Sequence, residues 1–206
     1  MIYYYIQIDE PKKMIEYIEL ALELSINQNN HQSIGILLRL KGLYEMMSGN
    51  NMLAEKLLKE SINTFMLTDS IAKKYAVNIA AANNYLGEIK FNECQFEEAY
   101  HFFLEAINLC ANKRPLSSLS VFYTNAGAAL FAQEKYELAE DFLLSSLAIY
   151  QELNTYWKRP RLDAYLSLVY IEKKDFKQVK HIIDKGQAYA ETMKNDRDIG
   201  IVAFSK

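Results

Sequence analysis

The chain has 206 residues, 50% hydrophobic and 24% charged, with a formal net charge of −3. That length and balance allow a sizeable core, exclude a disordered chain and leave no basic excess to attract a phosphate backbone, so no direct nucleic-acid binding is expected. The apolar runs fall far short of the roughly 20 residues that span a bilayer, so no membrane partner is expected either.

The opening, MIYYYIQIDEPKK, lacks a charged leader, an apolar stretch and a small-residue cleavage site, and the expected location is the cytoplasm. Cys94 and Cys110 have no partner motif, which argues against a disulfide framework and a zinc site. Only 3 prolines and 7 glycines occur, and no stretch alternates with a period of two, so the chain reads as helical throughout.

Taken in chain order, the helices fall into registers marked by small residues. The first register places Ile2, Met14, Ile18 and Ala21 in four matching slots. Gly42, Ala54, Leu58 and Ser61 fill them next, followed by Gly87, Ala99, Phe103 and Ala106. Gly127, Ala139, Leu143 and Ser146 come fourth, and Ser167, Val179, Ile183 and Gly186 fifth. Two antiparallel helices approach closely only where side chains are small, so the small slots admit the bulky Leu58, Phe103, Leu143 and Ile183 between them. Leu57, Phe102, Phe142 and Ile182 widen each apolar stripe toward the next unit.

Polar breaks recur in the same register: SGNN (48–51), NECQ (92–95), QEK (133–135) and KKD (173–175). Phe96, Tyr136 and Phe176 follow three of them and are expected to wedge the hairpins. Ser70, Pro115 and Pro160 mark helix starts, proline being tolerated in a first turn.

The patterns in YLGEIKF (85–91) and YTNAGAAL (123–130), each followed by an aromatic and then small residues, resemble the tetratricopeptide repeat. The unit here is longer than that family's basic motif of about 34 residues, as in bacterial signal-responsive regulators. The resemblance implies an all-α fold of antiparallel helix-turn-helix repeats stacked into a right-handed superhelical α-solenoid. One domain of about five hairpins over 1–206 is expected. The apolar ends, with Ile2, Tyr3, Tyr5 and Ile6 at one and Ile199, Ile201, Val202 and Phe204 at the other, lack a polar cap. They read as the ends of a segment of a longer protein, or as surfaces for an end-to-end homo-oligomer.

In the family the first helices line a concave face, and the resemblance carries ligand contacts to first-helix positions turned away from the hairpin partner. By register these are Arg39 in one unit, Asn84, Tyr85, Glu88 and Asn92 in the next, then Thr124 and Asn125, and finally Arg161 and Tyr165. Asn125 resembles the asparagine with which peptide-binding members grip a ligand, an amide offering both donor and acceptor. The alternative is that it bonds a neighbouring helix or water. Arg39 and Arg161 read as solvated surface before they read as ligand contacts, and Tyr85 and Tyr165, in equivalent slots, as an aromatic ledge or as packing between adjacent first helices.

His31, His101 and His181 are too far apart in the repeat to share a metal. Neither cysteine has a histidine placed to activate it, and no phosphate loop or nucleophile elbow occurs. No cofactor, metal or catalysis is expected. The implied role is a protein- or peptide-binding scaffold, the sensory or regulatory region of a bacterial signalling or transcriptional regulator, with an assembly adaptor or an enzyme framed on the repeat as alternatives.

Overall fold

A computed structural model describes residues 11–67, 69–110, 112, 117–153 and 160–193. The chain divides into two compact units, Met1–Glu93 and Cys94–Lys206. The first holds α1 (Pro11–Asn27), α2 (His31–Met47), α3 (Asn51–Phe65), the short α4 (Asp69–Lys74) and α5 (Ala76–Asn92). The second holds α6 (Phe96–Cys110), α7 (Ser117–Ala132), α8 (Tyr136–Glu152), α9 (Pro160–Glu172) and α10 (Phe176–Met193). Among the described residues there is no strand. The apolar ends singled out in the sequence, together with Pro115, lie outside the described residues, and Pro160 opens α9.

In the first unit, α2 and α3 form a hairpin whose closest approach is at Gly42. A Cβ built there would sit 2.8 Å from Leu58 Cγ, so only glycine admits that leucine. One helical level further, Gly35 lies beneath Phe65, whose ring would be 2.7 Å from an added Cβ. Ser61 donates from Oγ to the Gly35 carbonyl at 2.7 Å and ties the two helices at that level. Phe65 stacks on Tyr75 at 5.0 Å, and the Tyr75 hydroxyl donates to Gln32 at 2.5 Å, which secures the longer link containing α4. Met14 and Ile18 of α1 are buried with Leu40 of α2, as their slots require.

Lys90 of α5 reaches Glu55 of α3 at 3.2 Å, and Glu55 also holds Lys59 at 2.6 Å. The Lys59 hydrogen bond, against burial and with Lys90 assisting, keeps the Glu55 carboxyl below its usual range. Burial works against the Lys90 ammonium, but its bonds to Glu55 and Glu93 outweigh it and hold its pKa above the ordinary value.

The second unit repeats the hairpin in α7 and α8. A Cβ on Gly127 would lie 2.6 Å from Leu143 Cγ and 3.2 Å from the Ala139 carbonyl oxygen. Ser120 stands where α2 has Gly35, and Tyr150 where α3 has Phe65. Burial pushes the pKa of the Tyr150 hydroxyl up, with the Ser120 side chain acting against it. Ser146 donates to the Ser120 carbonyl at 2.7 Å, as Ser61 does to Gly35.

Leu143, Leu130 and Tyr150 join Leu162, Leu166, Val169 and Ile182 in one core that packs α9 against α7 and α8, with α10 against α9. Glu140 of α8 holds Lys173 at the end of α9. Burial, with a hydrogen bond to Glu140, pushes the Tyr170 hydroxyl up to about 12.

The links after α2, α5, α7 and α9 each place one residue in the left-handed region, seven positions after the small slot: Gly49 at φ 82°, and Cys94, Glu134 and Lys174 at 60°. In three of these turns the next amide returns to the carbonyl five residues back, from Asn50 to Glu45, Lys135 to Leu130 and Asp175 to Tyr170. That bond closes the helix end and reverses the chain. Tyr136 wedges its hairpin as expected, with its ring 5.6 Å from Phe131. Phe176 does not: it is 64% exposed. Its slot precedes Val179 and Ile183, which are only half-buried in this last hairpin.

Candidate partner-binding surface

The candidate residues lie on α2 and α5 of the first unit and on α7 and α9 of the second. Arg39, in the middle of α2, is buried. It follows Gly35 by one helical repeat and precedes Gly42 by three residues, so it shares their stripe. Asn84 is buried and donates from Nδ2 to Glu88 Oε1 at 2.7 Å, one turn along α5. Tyr85 and Glu88 are half-buried, and Asn92, the last residue of α5, is exposed.

In the second unit, Thr124 turns toward its hairpin partner. Its hydroxyl donates to the Ser120 carbonyl at 2.9 Å and lies 2.8 Å from Ser146 Oγ on α8. The expectation that it turns away from that partner is therefore corrected: Thr124 belongs to the buried polar level that joins α7 to α8. Arg39 and Asn84 occupy its slot in the preceding registers, and all three are buried. Asn125 is buried at 1% exposure.

Arg161, exposed in the first turn of α9, places its guanidinium 6.0 Å from the ring centroid of Tyr165. Tyr165 is half-buried and meets Phe131 of α7 edge-on at 6.3 Å, so its ring packs between adjacent first helices. That ring thus has both an aromatic neighbour and a cation beside it.

The candidate positions thus separate, within each unit, into buried ones (Arg39, Asn84, Thr124 and Asn125) and accessible ones (Tyr85, Glu88, Asn92, Arg161 and Tyr165). The level at which Gly35 meets Phe65, and its counterpart at Ser120 and Tyr150, lies outside the four slots, although Ser61 and Ser146, which complete it, are among them. Its signal is a second small slot seven residues before the first, held by Gly35, Ala80 and Ser120. Among the described residues no group of three or more His, Cys, Asp or Glu side chains could hold a metal ion, and no helix is long and apolar enough to cross a membrane.

Residues 78–152 match the tetratricopeptide repeat family model. No curated protein sequence matches the chain. Among solved structures, the apo form of RapI is similar at 12% identity and a TM-score of 0.80, over 94% of this chain and 69% of that one. Aspartyl phosphate phosphatase F from Bacillus subtilis is similar at 14% identity and a TM-score of 0.82, over 100% of this chain and 52% of that one. A signal transduction ATPase with a tetratricopeptide repeat sensor, from Pyrococcus horikoshii, is similar at 15% identity and a TM-score of 0.71, over 98% of this chain and 34% of that one. At these identities the likeness concerns the fold. The chain is thus an all-α protein of helical-hairpin repeats. Residues 78–152 carry the tetratricopeptide repeat match, and the fold of the chain is similar to tetratricopeptide-like repeat structures.

Proposed function

We propose that the chain is a protein- or peptide-binding scaffold that forms the sensory or regulatory region of a bacterial signalling or transcriptional regulator. The observation that carries the reading is the tetratricopeptide match over 78–152, which spans the helices bearing Asn84, Tyr85, Glu88, Asn92, Thr124 and Asn125. It is supported by the company of the fold, which includes a repeat region described as a sensor within a larger signalling ATPase.

The accessible first-helix residues supply the chemistry of recognition. Tyr165 is a rigid aromatic edge held by Phe131, and Arg161 beside it is a cation that a peptide carboxylate can approach. In the first unit, taken by itself, Asn92 and Glu88 offer an amide and an acid on α5. A repeat contacts chiefly its neighbours, so ligand-driven rotations of hairpins accumulate along the chain and supply a signal to an effector domain. The phosphatase activity of aspartyl phosphate phosphatase F belongs to that protein.

The test is a peptide-array and pull-down screen of the intact chain, repeated with Arg161→Ala, Tyr165→Ala and Asn125→Ala. Loss of captured ligand by roughly tenfold in the first two variants is expected, because truncating an anchoring Arg or Tyr commonly costs more than 1 kcal/mol. Ligands captured equally by all three variants and the parent would remove this surface from the account.

A further inference from the structure

Helix α1 carries apolar side chains on two flanks. Met14 and Ile18 point inward and are buried with Leu40. On another flank Tyr17, Leu20 and Leu24, at i, i+3 and i+7, form a continuous stripe that is 38%, 56% and 53% exposed. In the repeat register the slot of Tyr17 is apolar throughout, with Leu57, Phe102, Phe142 and Ile182, but that of Leu20 is not. The slot of Leu20 holds Glu60, Glu105, Ser145 and Lys185 in the other four registers, all exposed. The slot therefore faces solvent throughout the chain, and only α1 fills it with a leucine. Packing within the hairpins does not require an apolar side chain there.

The stripe also has a charged edge. Glu16, Glu19 and Glu23 follow one another at the same spacing and are all exposed. Glu19 is held by Lys41 at 2.9 Å, and Lys13 stands at the N-terminal end of the stripe. A row of carboxylates beside an apolar stripe attracts a cationic edge. It repels the matching row of a second copy packed antiparallel, and repels an anionic membrane for the same reason.

We propose that the Tyr17–Leu20–Leu24 stripe docks an amphipathic helix of a protein partner, with apolar side chains at helical spacing and lysine or arginine along the edge that meets Glu16 and Glu23. This is the helix-to-helix mode of recognition, in which the apolar stripe supplies affinity and the charged edge sets partner choice and orientation. It lies on a second helix of the register and does not depend on the first-helix surface proposed above.

The experiment uses the full chain and two labelled helical peptides of the same apolar pattern, one with lysines and one with glutamates at the polar positions. Binding is read by fluorescence anisotropy at about 0.1 M salt, where charges within roughly 10 Å still interact. The leucine–lysine peptide is expected to bind and the leucine–glutamate peptide not to. Leu20→Ser with Leu24→Ser should weaken binding roughly tenfold or more through lost apolar burial, with the thermal midpoint unchanged. Glu16→Lys with Glu23→Lys should transfer preference to the leucine–glutamate peptide. The proposal is overturned if the double serine variant binds as the parent does, or if both peptides bind alike. It is also overturned if the serine variant unfolds at a clearly lower temperature, because the stripe is then covered within the chain. A parent dimer dispersed by Leu20→Ser would overturn it too, by making a second copy the occupant.

Discussion

Replacing Gly127 with alanine puts one methyl group into the tightest point of the α7–α8 hairpin. The added Cβ would lie 2.6 Å from Leu143 Cγ, 2.8 Å from its Cδ2 and 3.2 Å from the Ala139 carbonyl oxygen. Carbon atoms prefer a separation of about 3.5–4.0 Å, so the overlap is close to a full ångström. Cγ is the branch point of the leucine and cannot swing aside as a side-chain tip can, and the carbonyl is backbone. Overpacking of this kind costs about 1–3 kcal/mol, whereas alanine regains about 0.5–1 kcal/mol in helix propensity over glycine. The balance is a loss of roughly 1–2 kcal/mol. Urea denaturation followed by helical circular dichroism, with hydrogen exchange on α7 and α8 to localise the loss, measures it. Leu143→Ala in the Gly127→Ala background should cost less than the two single changes added together, because the truncated side chain vacates the space. A Gly127→Ala protein as stable as the parent, with additive energies in the double variant, would refute the steric argument.

Further outcomes follow from other levels of the structure. Glu134→Gly and Lys174→Gly should each stabilise the chain by about 0.5–1 kcal/mol, since both residues hold a left-handed turn conformation that only glycine adopts freely; unchanged denaturation midpoints would count against this. Ser61→Ala removes the 2.7 Å bond to the Gly35 carbonyl and should cost about 1 kcal/mol in the same assay, with faster exchange in α2 and α3. The Glu55 carboxyl has a lowered pKa, so its contribution is present above its ordinary value of 4.5 and is lost as pH falls below it. The stability advantage of the parent over Lys90→Met should therefore shrink between neutral pH and about pH 3, as read from urea midpoints at the two values. Tyr170 has a raised pKa, so its contribution holds below its ordinary value of 10 and is lost as pH climbs through about 12. Tyr170→Phe should flatten that alkaline loss in a thermal-melt series.

The hairpin order was legible because a close helix approach is a strict demand that only Gly42 and Gly127 could meet at their slots. The turns were legible for a similar reason, since polar breaks recur where the chain must reverse. The level at Gly35 and Phe65 escaped because a glycine and a distant aromatic give no local pattern until the first slot has set the register. The surroundings of the candidate residues were legible only in part. A polar residue on a helix looks the same in sequence whether it meets a ligand or joins a buried network. Thr124 proved to bond Ser120 and Ser146, and Asn84 to bond Glu88. Tyr165 was open between ledge and packing, and its contact with Phe131 places its ring between first helices. Phe176 matched Tyr136 by register, yet it stands exposed where Tyr136 has Phe131 to pack on.

Proton–proton contacts at the two glycine seats test the repeat most directly. Nuclear Overhauser spectra of the methyl-labelled chain should show strong cross-peaks from the Gly42 α-protons to the Leu58 methyls, and equally strong ones from Gly127 to Leu143, because both seats share one geometry. Cross-peaks at one seat and none at the other would mean that the two hairpins are not copies of one packing unit, and the account built on their equivalence would fall.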